Sequence, residues 1–249
     1  MRNAQVEVLE RGEGPPLLYL HGIWDAEHNL LLERLAAGRR VIAPRLPGFG
    51  GSTGEEHLAS IHDAVYYFLD LLDAIGLEGG PLVGHCLGGM FAAELAAVQP
   101  QRFSRLALIA PFGLWNSAHP VPDFFAAAPE EVEAWAGAGM PAKPAPEDEE
   151  AAMAAALAQA KAMSAAARFL WPLPNHGFKS RAHRVAVPSL LVWGSRDGIC
   201  PPEYGREFQE LIRGSRVEIV EDAGHLPHNE QPDRVAEVLT SFLTAEPSP

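Results

Sequence analysis

The chain has 249 residues, 47% of them hydrophobic, which suits one large α/β unit with room for an insertion. A formal net charge of −13 would repel a phosphate backbone, so we expect no nucleic-acid partner. The two cysteines form no disulfide framework, no apolar stretch is long enough to cross a bilayer, and the first residues show no signal-peptide pattern. We therefore expect a cytoplasmic protein without a membrane partner. For its oligomeric state we consider a homodimer.

Strands alternate with helices along most of the chain. Strand patterns stand at residues 6–9, 15–22, 40–43, 80–84, 103–112, 187–194 and 215–222. Helical patterns stand at residues 57–77, 88–100, 202–214 and 232–243. Gly76 and Pro100 lie where the first two of these helices would end. The alternation predicts an α/β fold with a mostly parallel sheet that helices cover on both faces.

One segment interrupts this alternation, because it is rich in Ala, Pro and Glu and contains no strand pattern. Its helical patterns at residues 129–139 and 147–171 predict a helical cap, whereas the composition of residues 140–150 leaves a flexible linker as the alternative. The predicted domains are a core of residues 1–112 and 183–249 and an inserted segment, the cap, of residues 113–182. A cap predicts burial of its large apolar side chains: Met153, Leu157, Met163, Phe169, Leu170 and Trp171.

The sequence LVGHCLGGMF, residues 82–91, places Cys86 at the centre of a Gly-X-Cys-X-Gly turn between a strand and a helix. Such a turn strains the backbone of its middle residue and presents that side chain at the end of a sheet strand. The N-terminus of the following helix would stabilise a thiolate there. The amide of Leu87, the first after the cysteine, could donate to an oxyanion. Cys86 is therefore a candidate nucleophile, with an ordinary buried thiol as the alternative.

A nucleophile needs a base, and the base needs a group that orients it. Asp197 follows one predicted strand and His225 follows the last, so the chain order is nucleophile, acid, histidine. Asp222 is a second candidate for the acid, although its place at a strand end aims it poorly. The loop after an early strand should supply the second oxyanion donor. We assign that donor to the amide of Ile23, with Trp24 beside it.

Five motifs together resemble the α/β-hydrolase-fold family with a helical cap: HGIW, RLPGFGGS, VGHCLGG, LLVWGSRDGICPP and DAGHLPHNEQP. The resemblance covers residues 15–112 and 183–243 and leaves the cap unmatched. It implies the α/β-hydrolase fold and a catalytic triad of Cys86, His225 and Asp197. Two residues depart from the pattern, since Cys86 replaces the usual serine and Arg45 stands where relatives often have aspartate.

Further residues have less specific patterns. The candidate pocket walls, each of which could equally be ordinary packing, are Trp24, His85, Trp115, Phe124, Phe125, Trp171 and Phe178. We interpret His21 and His85 as structural or pocket-lining, His228 as a solvated neighbour of the base, and Cys200 as a core residue. No metal-ligand spacing and no phosphate loop appear in the sequence, so we expect no metal and no cofactor.

The nucleophile narrows the reaction more than the fold does. Relatives that use an aspartate nucleophile are set aside, and three hypotheses stay open. The first is hydrolysis of an apolar acyl compound, which is a carboxylic ester, a lactone or a thioester, through a covalent acyl-enzyme. The second is hydrolysis of a carbon–carbon bond in a ring-cleavage diketo acid. The third is a ligand-binding relative with vestigial turnover, in which cysteine has replaced serine.

The second hypothesis needs a site for the substrate carboxylate. The clustered cations that could supply it are Arg168, Lys179, Arg181 and Arg184, for which a solvated surface is the simpler interpretation. The first hypothesis carries an expectation for the thiol. Beside His225 and a helix N-terminus, Cys86 should have a pKa below about 8.5, the value of a free cysteine. Cys86 should then react with iodoacetamide faster than Cys200.

Overall fold

A computed structural model describes residues 4–141, 146–171, 173 and 176–245. Its single sheet has seven strands in the spatial order β1-β3-β2-β4-β5-β6-β7. The strands are β1 Val8–Arg11, β2 Pro16–Leu20, β3 Arg40–Pro44, β4 Pro81–His85, β5 Arg105–Ile109, β6 Ser189–Gly194 and β7 Arg216–Val220. Only β1 runs antiparallel to its neighbour, β3, and the other five pairings are parallel. The mostly parallel sheet and the predicted fold class are confirmed.

Helices connect these strands. They are α1 Leu30–Ala36, α2 Ile61–Ala74, α3 Cys86–Val98, α4 Pro129–Ala136, α5 Glu149–Leu170, α6 Glu203–Leu211, α7 Pro227–Glu230 and α8 Pro232–Thr244. The sequence patterns missed the two shortest, α1 and α7, because a helix of one or two turns shows little periodicity. The first strand begins two residues later than its pattern predicted.

Side chains of the central strands alternate between two apolar layers. Along β2, Leu18 and Leu20 belong to a core cluster beneath α2 and α3, whereas Leu17 and Tyr19 belong to a cluster beneath α1 and α8. Both faces of the sheet are therefore covered, as a parallel sheet requires. None of the described helices has an apolar run long enough to span a membrane.

The inserted segment contains α4 and α5, and its described residues form no strand. Phe169 and Leu170, at the end of α5, are buried as predicted. Burial of Met153, Leu157 and Trp171 was predicted wrongly, since these side chains are 63%, 62% and 55% exposed. Only the last turns of α5 pack against the core, so its earlier turns are exposed on every side. Residues 142–145, within the segment predicted as a linker, lie outside the described residues.

Candidate active site

The turn between β4 and α3 places Cys86 in the left-handed region of the backbone, with φ +53°. This conformation is unfavourable for a residue with a side chain, and it persists only where the surroundings determine it. Gly84 and Gly88, on either side of Cys86, allow the neighbouring atoms to pack this closely around the turn. A Cβ at Gly84 would lie 2.6 Å from the carbonyl oxygen of Gly88 and 2.8 Å from Cβ of Ala92. A Cβ at Gly88 would overlap the carbonyl of Leu20 on the neighbouring strand.

Asp197 and His225 form a buried pair at the ends of β6 and β7. Nδ1 of His225 lies 2.8 Å from Oδ2 of Asp197, and neither side chain is exposed. The other carboxylate oxygen accepts the amides of Ile199 and Cys200 at 2.9 and 2.8 Å. Asp197 therefore orients the ring, and Nε2 of His225 is buried without a hydrogen-bond partner among the described residues. This nitrogen is free to exchange a proton.

Cys86 is fully buried, contrary to the expected exposed nucleophile. Burial raises the pKa of its thiol well above the usual range, although hydrogen bonds from the amides of Ile23 and Leu87 oppose the shift. Burial also raises the pKa of Cys200. The expected low pKa of Cys86 is therefore wrong, because removal from water outweighs the helix N-terminus. The amides of Ile23 and Leu87, the two candidate oxyanion donors, are thus the groups that oppose the effect of burial on the thiol.

Four of the predicted pocket residues form a continuous row of rings that leads away from His225. The centroid distances are 5.5 Å from His225 to Trp24, 5.4 Å from Trp24 to Phe124, 4.5 Å from Phe124 to Phe125 and 6.2 Å from Phe125 to Trp171. Phe124 is buried, whereas Trp171 is largely exposed. We call these four residues the aromatic row. It connects the buried histidine with the surface.

The remaining pocket candidates lie elsewhere. Trp115 is 37% exposed and makes no ring contact with the aromatic row. Phe178 packs against Phe208 at 5.6 Å, beneath the sheet face that carries α6. His85 belongs to a hydrogen-bonded cluster around Asp25 and does not line the aromatic row. Trp115 and Phe178 were assigned by residue type and His85 by its position beside Cys86, and neither criterion fixes the direction of a side chain.

Asp25 is the residue that the sequence analysis missed. It is buried, and its oxygens lie 3.0 Å from Nδ1 of His85 and 3.3 Å from Nε2 of His228. His228 is fully buried, so its interpretation as a solvated neighbour is wrong. His228 lies on α7, which brings its ring against the Asp25 side chain. In the sequence, Asp25 stands four positions after His21, in the motif HGIWD. This position was the only signal that could have drawn attention to it.

Asp25, His85 and His228 are the one group among the described residues whose ligand atoms could surround a metal ion, since these atoms lie within 4.8 Å of one another. The carboxylate, however, already accepts hydrogen bonds from Tyr19, Gly22 and Asn29 in addition to its contact with His85. A carboxylate offers about four acceptor sites. These donors therefore fill the acceptor sites that a metal ion would need.

His21 is structural, as expected. Its Nδ1 donates to the Gly22 carbonyl at 2.6 Å, and its Nε2 accepts the amide of Leu46 at 2.8 Å. Burial lowers the pKa of His21 to about 4, which agrees with a neutral ring. Arg45, which follows β3, pairs with Glu27 at 3.1 Å and with Glu7 at 3.7 Å. These two glutamates explain why the chain tolerates a buried arginine at this position.

The four cations considered for a substrate carboxylate are dispersed. Arg181 forms an ion pair with Glu94 on α3, and Nε of Arg184 donates to a backbone carbonyl of the same helix. Arg168 and Lys179 are exposed. Asp222, the alternative acid, pairs with an arginine at the surface instead of with His225. The described residues therefore form no such cation cluster, and Asp222 does not contact His225.

The inserted segment holds the loops of Asp197 and His225 through its backbone. The amide of His225 donates to the carbonyl of Ala136 at 2.8 Å, and the amide of Gly198 donates to the carbonyl of Trp135 at 2.9 Å. Both carbonyls belong to the last turn of α4. Backbone contacts of this kind leave no trace in the residue types, so the sequence could not predict them.

Known proteins resemble this chain over most of its length. The chain is 30% identical, over 244 residues, to the dihydrolipoyllysine-residue acetyltransferase component of an acetoin cleaving system from Pseudomonas putida. That match covers 92% of this chain but 64% of the relative, so the chain spans less than two thirds of the relative's length. Lipase 1 of Psychrobacter immobilis is 27% identical over 259 residues, which cover 92% of this chain and 77% of the lipase.

A solved structure of a membrane phospholipase A superimposes with a TM-score of 0.80 at 25% sequence identity, covering 97% of this chain and 83% of the phospholipase. The sequence model of the alpha/beta hydrolase family matches residues 17–238, which include the β4–α3 turn and both members of the Asp197–His225 pair. The chain belongs to the alpha/beta hydrolase family.

Proposed function

We propose that this protein hydrolyses an apolar acyl compound, which is a carboxylic ester, a lactone or a thioester, through Cys86, His225 and Asp197. The observation that carries the proposal is the unpartnered Nε2 of a buried His225 that Asp197 orients. The positive φ of Cys86 and the two amides within reach of its sulfur support the nucleophile and the oxyanion hole.

The chemistry follows from the high pKa of the buried thiol. At rest the Cys86 thiol is protonated, so His225 removes its proton while the sulfur attacks the acyl carbon. The amides of Ile23 and Leu87 hold the developing oxyanion. The carbon–sulfur bond forms, the bond to the leaving group breaks, and His225 returns the proton to that group. Water, activated by His225, then hydrolyses the thioester and restores the thiol.

The aromatic row supports an apolar substrate. We propose that it lines the passage for the acyl group, with the inserted segment acting as a cap over Cys86. A Phe125→Ala variant should accept longer acyl chains than the wild type, because the change shortens the row at its middle. The preference is read as kcat/KM for p-nitrophenyl esters of two to twelve carbons. Trp115→Ala, outside the row, is the matched control and should leave the preference unchanged.

A ligand-binding relative with vestigial turnover is the second candidate. The fully buried sulfur and its raised pKa favour it, since both slow the attack. Such a protein would acylate at most once or would bind without reaction. The carbon–carbon hydrolase hypothesis has less support, because the cations that it needs are dispersed or paired.

The test uses p-nitrophenyl butyrate with the wild type, Cys86→Ala and Cys86→Ser. We expect a burst of one p-nitrophenol per protein, an acyl mass increment on Cys86, and repeated turnover afterwards. Cys86→Ala should lose the burst and the increment, whereas Cys86→Ser should form an ester that shows by mass as well. Equal release by the wild type and Cys86→Ala contradicts the proposal. A persistent adduct without turnover identifies the vestigial relative.

A further inference from the structure

A second buried aspartate lies behind the candidate nucleophile. Oδ2 of Asp25 accepts hydrogen bonds from the Tyr19 hydroxyl and the Asn29 amide, both at 2.8 Å. Its Oδ1 accepts the backbone amide of Gly22 at 2.5 Å and lies 3.0 Å from Nδ1 of His85. With donors on both oxygens, the side chain is held as a carboxylate.

His85 connects this carboxylate to the loop of the candidate base. Its Nε2 lies 3.0 Å from the backbone carbonyl oxygen of His225, while its Nδ1 faces Asp25. Both partners are acceptors, so the ring satisfies both contacts when each nitrogen carries a proton. Burial opposes ionisation of Asp25, but the neighbouring rings of His85 and His228 lower its pKa well below the usual range. His85 therefore lies between two acceptors, the Asp25 carboxylate and the His225 carbonyl.

The turn that carries the oxyanion donor packs directly against this pair. A Cβ on Gly22 would lie 2.5 Å from Nδ1 of His85, 2.7 Å from Cβ of Cys86 and 2.9 Å from Oδ1 of Asp25. Gly22 precedes Ile23, whose amide reaches the Cys86 sulfur. Because these groups touch, the position of the Gly22 amide on Asp25 sets the distance between the Ile23 amide and the sulfur.

We propose that Asp25 and His85 are positioning residues: Asp25 fixes the Gly22–Ile23 turn, and His85 ties that turn to the backbone of His225. The oxyanion donor and the base thereby keep one spacing around Cys86. This inference rests on the proposed function, since it assigns the pair a role in the same reaction. Neither residue touches the reacting atoms.

Two reactions of Cys86 separate positioning from general damage. Acylation by p-nitrophenyl butyrate needs both the base and the oxyanion hole, whereas alkylation by iodoacetamide needs only removal of the thiol proton. Asp25→Asn keeps the size of the side chain but removes its charge, which releases the turn. We expect its acylation to slow about 10- to 100-fold, against the 100- to 1,000-fold typical of an oxyanion donor removed outright, while alkylation changes less than about threefold.

His85→Asn is the complementary variant. The shorter amide reaches Asp25 from about the position of Nδ1 but cannot reach the carbonyl of His225. Because the base loop then loses an anchor, we expect acylation and alkylation to slow together, each about tenfold. Asp222→Asn, a surface carboxylate, should change neither rate.

The wild type supplies a test that does not depend on the folding of a variant. In a proton–nitrogen NMR spectrum of the wild type, the Gly22 amide, which donates to Asp25 at 2.5 Å, should exchange slowly with solvent, and a fast-exchanging Gly22 amide would overturn the inference. Unchanged acylation by Asp25→Asn, or equal slowing of its two reactions, would overturn it as well. A wild type without a Cys86-dependent burst instead overturns the proposed function, so the two failures are distinguishable.

Discussion

Asp197–His225 and Asp25–His85 are buried aspartate–histidine pairs that lie side by side, with 5.1 Å between the two rings. In the pair of Asp197 and His225, the far ring nitrogen has no partner. In the pair of Asp25 and His85, the far nitrogen meets a backbone carbonyl. The same two residue types therefore give one ring that is free to move a proton and one ring that is held at both ends.

The largest difference between the pairs should be in catalysis. His225→Asn keeps an amide near the position of Nδ1, so the contact with Asp197 survives while the free nitrogen is lost. We expect kcat/KM for p-nitrophenyl butyrate to fall about 10³-fold, which lies within the range for a general base. Steady-state hydrolysis checks this, with His85→Asn as the matched change in the other pair. A variant that retains a tenth of the activity would remove His225 from the mechanism.

The buried Asp25–His85 pair should contribute much more to the free energy of unfolding than an exposed ion pair does. Asp25→Ala leaves His85 and several donors buried without their carboxylate, and we expect the free energy of unfolding to fall by about 3–5 kcal/mol. Urea denaturation followed by circular dichroism measures the change. Asp222→Ala, which breaks an exposed ion pair with Arg196, should cost less than about 1 kcal/mol. Similar losses in the two variants would show that the Asp25 cluster contributes no special stability.

Moderately acidic pH should lower the free energy of unfolding, because buried histidines near the Asp25–His85 pair resist protonation. Burial lowers the pKa of His228 and of His21 to about 4, from 6.5 in the unfolded chain. Between these values the unfolded chain binds protons that the folded protein excludes. The stability that these rings contribute is thus complete above 6.5 and is lost toward 4, by about 3 kcal/mol for each ring.

The measurement is urea denaturation at several pH values between these limits. His228→Gln removes one of the two rings with a pKa of about 4 and leaves His21. The pH dependence of its unfolding free energy should therefore be about half that of the wild type. The exposed His62 gives the control, since His62→Gln should leave the pH dependence unchanged. Equal pH dependence in all three proteins would contradict the protonation states assigned to the buried rings.

The smallest effect is expected far from both pairs, on the outer turns of α5. Leu157 is 62% exposed, so Leu157→Ala should change the free energy of unfolding by less than about 0.5 kcal/mol. Phe169, on the last turn of the same helix, is buried, and Phe169→Ala should cost about 3–5 kcal/mol. Thermal denaturation of both variants checks the contrast. A large loss in Leu157→Ala would mean that the outer turns are covered in solution.

Local patterns predicted the fold and the first pair well. The apolar run and glycines around Cys86 require a strand, a tight turn and a helix, and the order of Asp197 and His225 follows from two strand ends. The second pair was not predictable in this way. Asp25 acquires its role from His85 and His228, which are distant along the chain, and no local pattern encodes such a meeting. Burial of Cys86 likewise depends on segments that only the tertiary structure brings together.

The backbone bond between Ala136 and His225 links the entry of substrate to the chemistry. Cys86 is closed to solvent, so a substrate can enter only after part of its cover moves. If α4 is that part, its movement has one of two effects. Either the hydrogen bond from the His225 amide to the Ala136 carbonyl breaks, or α4 moves the His225 backbone with it. The open protein would then expose a thiol whose base is out of place. Attack would begin only after reclosure, so a molecule too large to be enclosed would meet an inert sulfur.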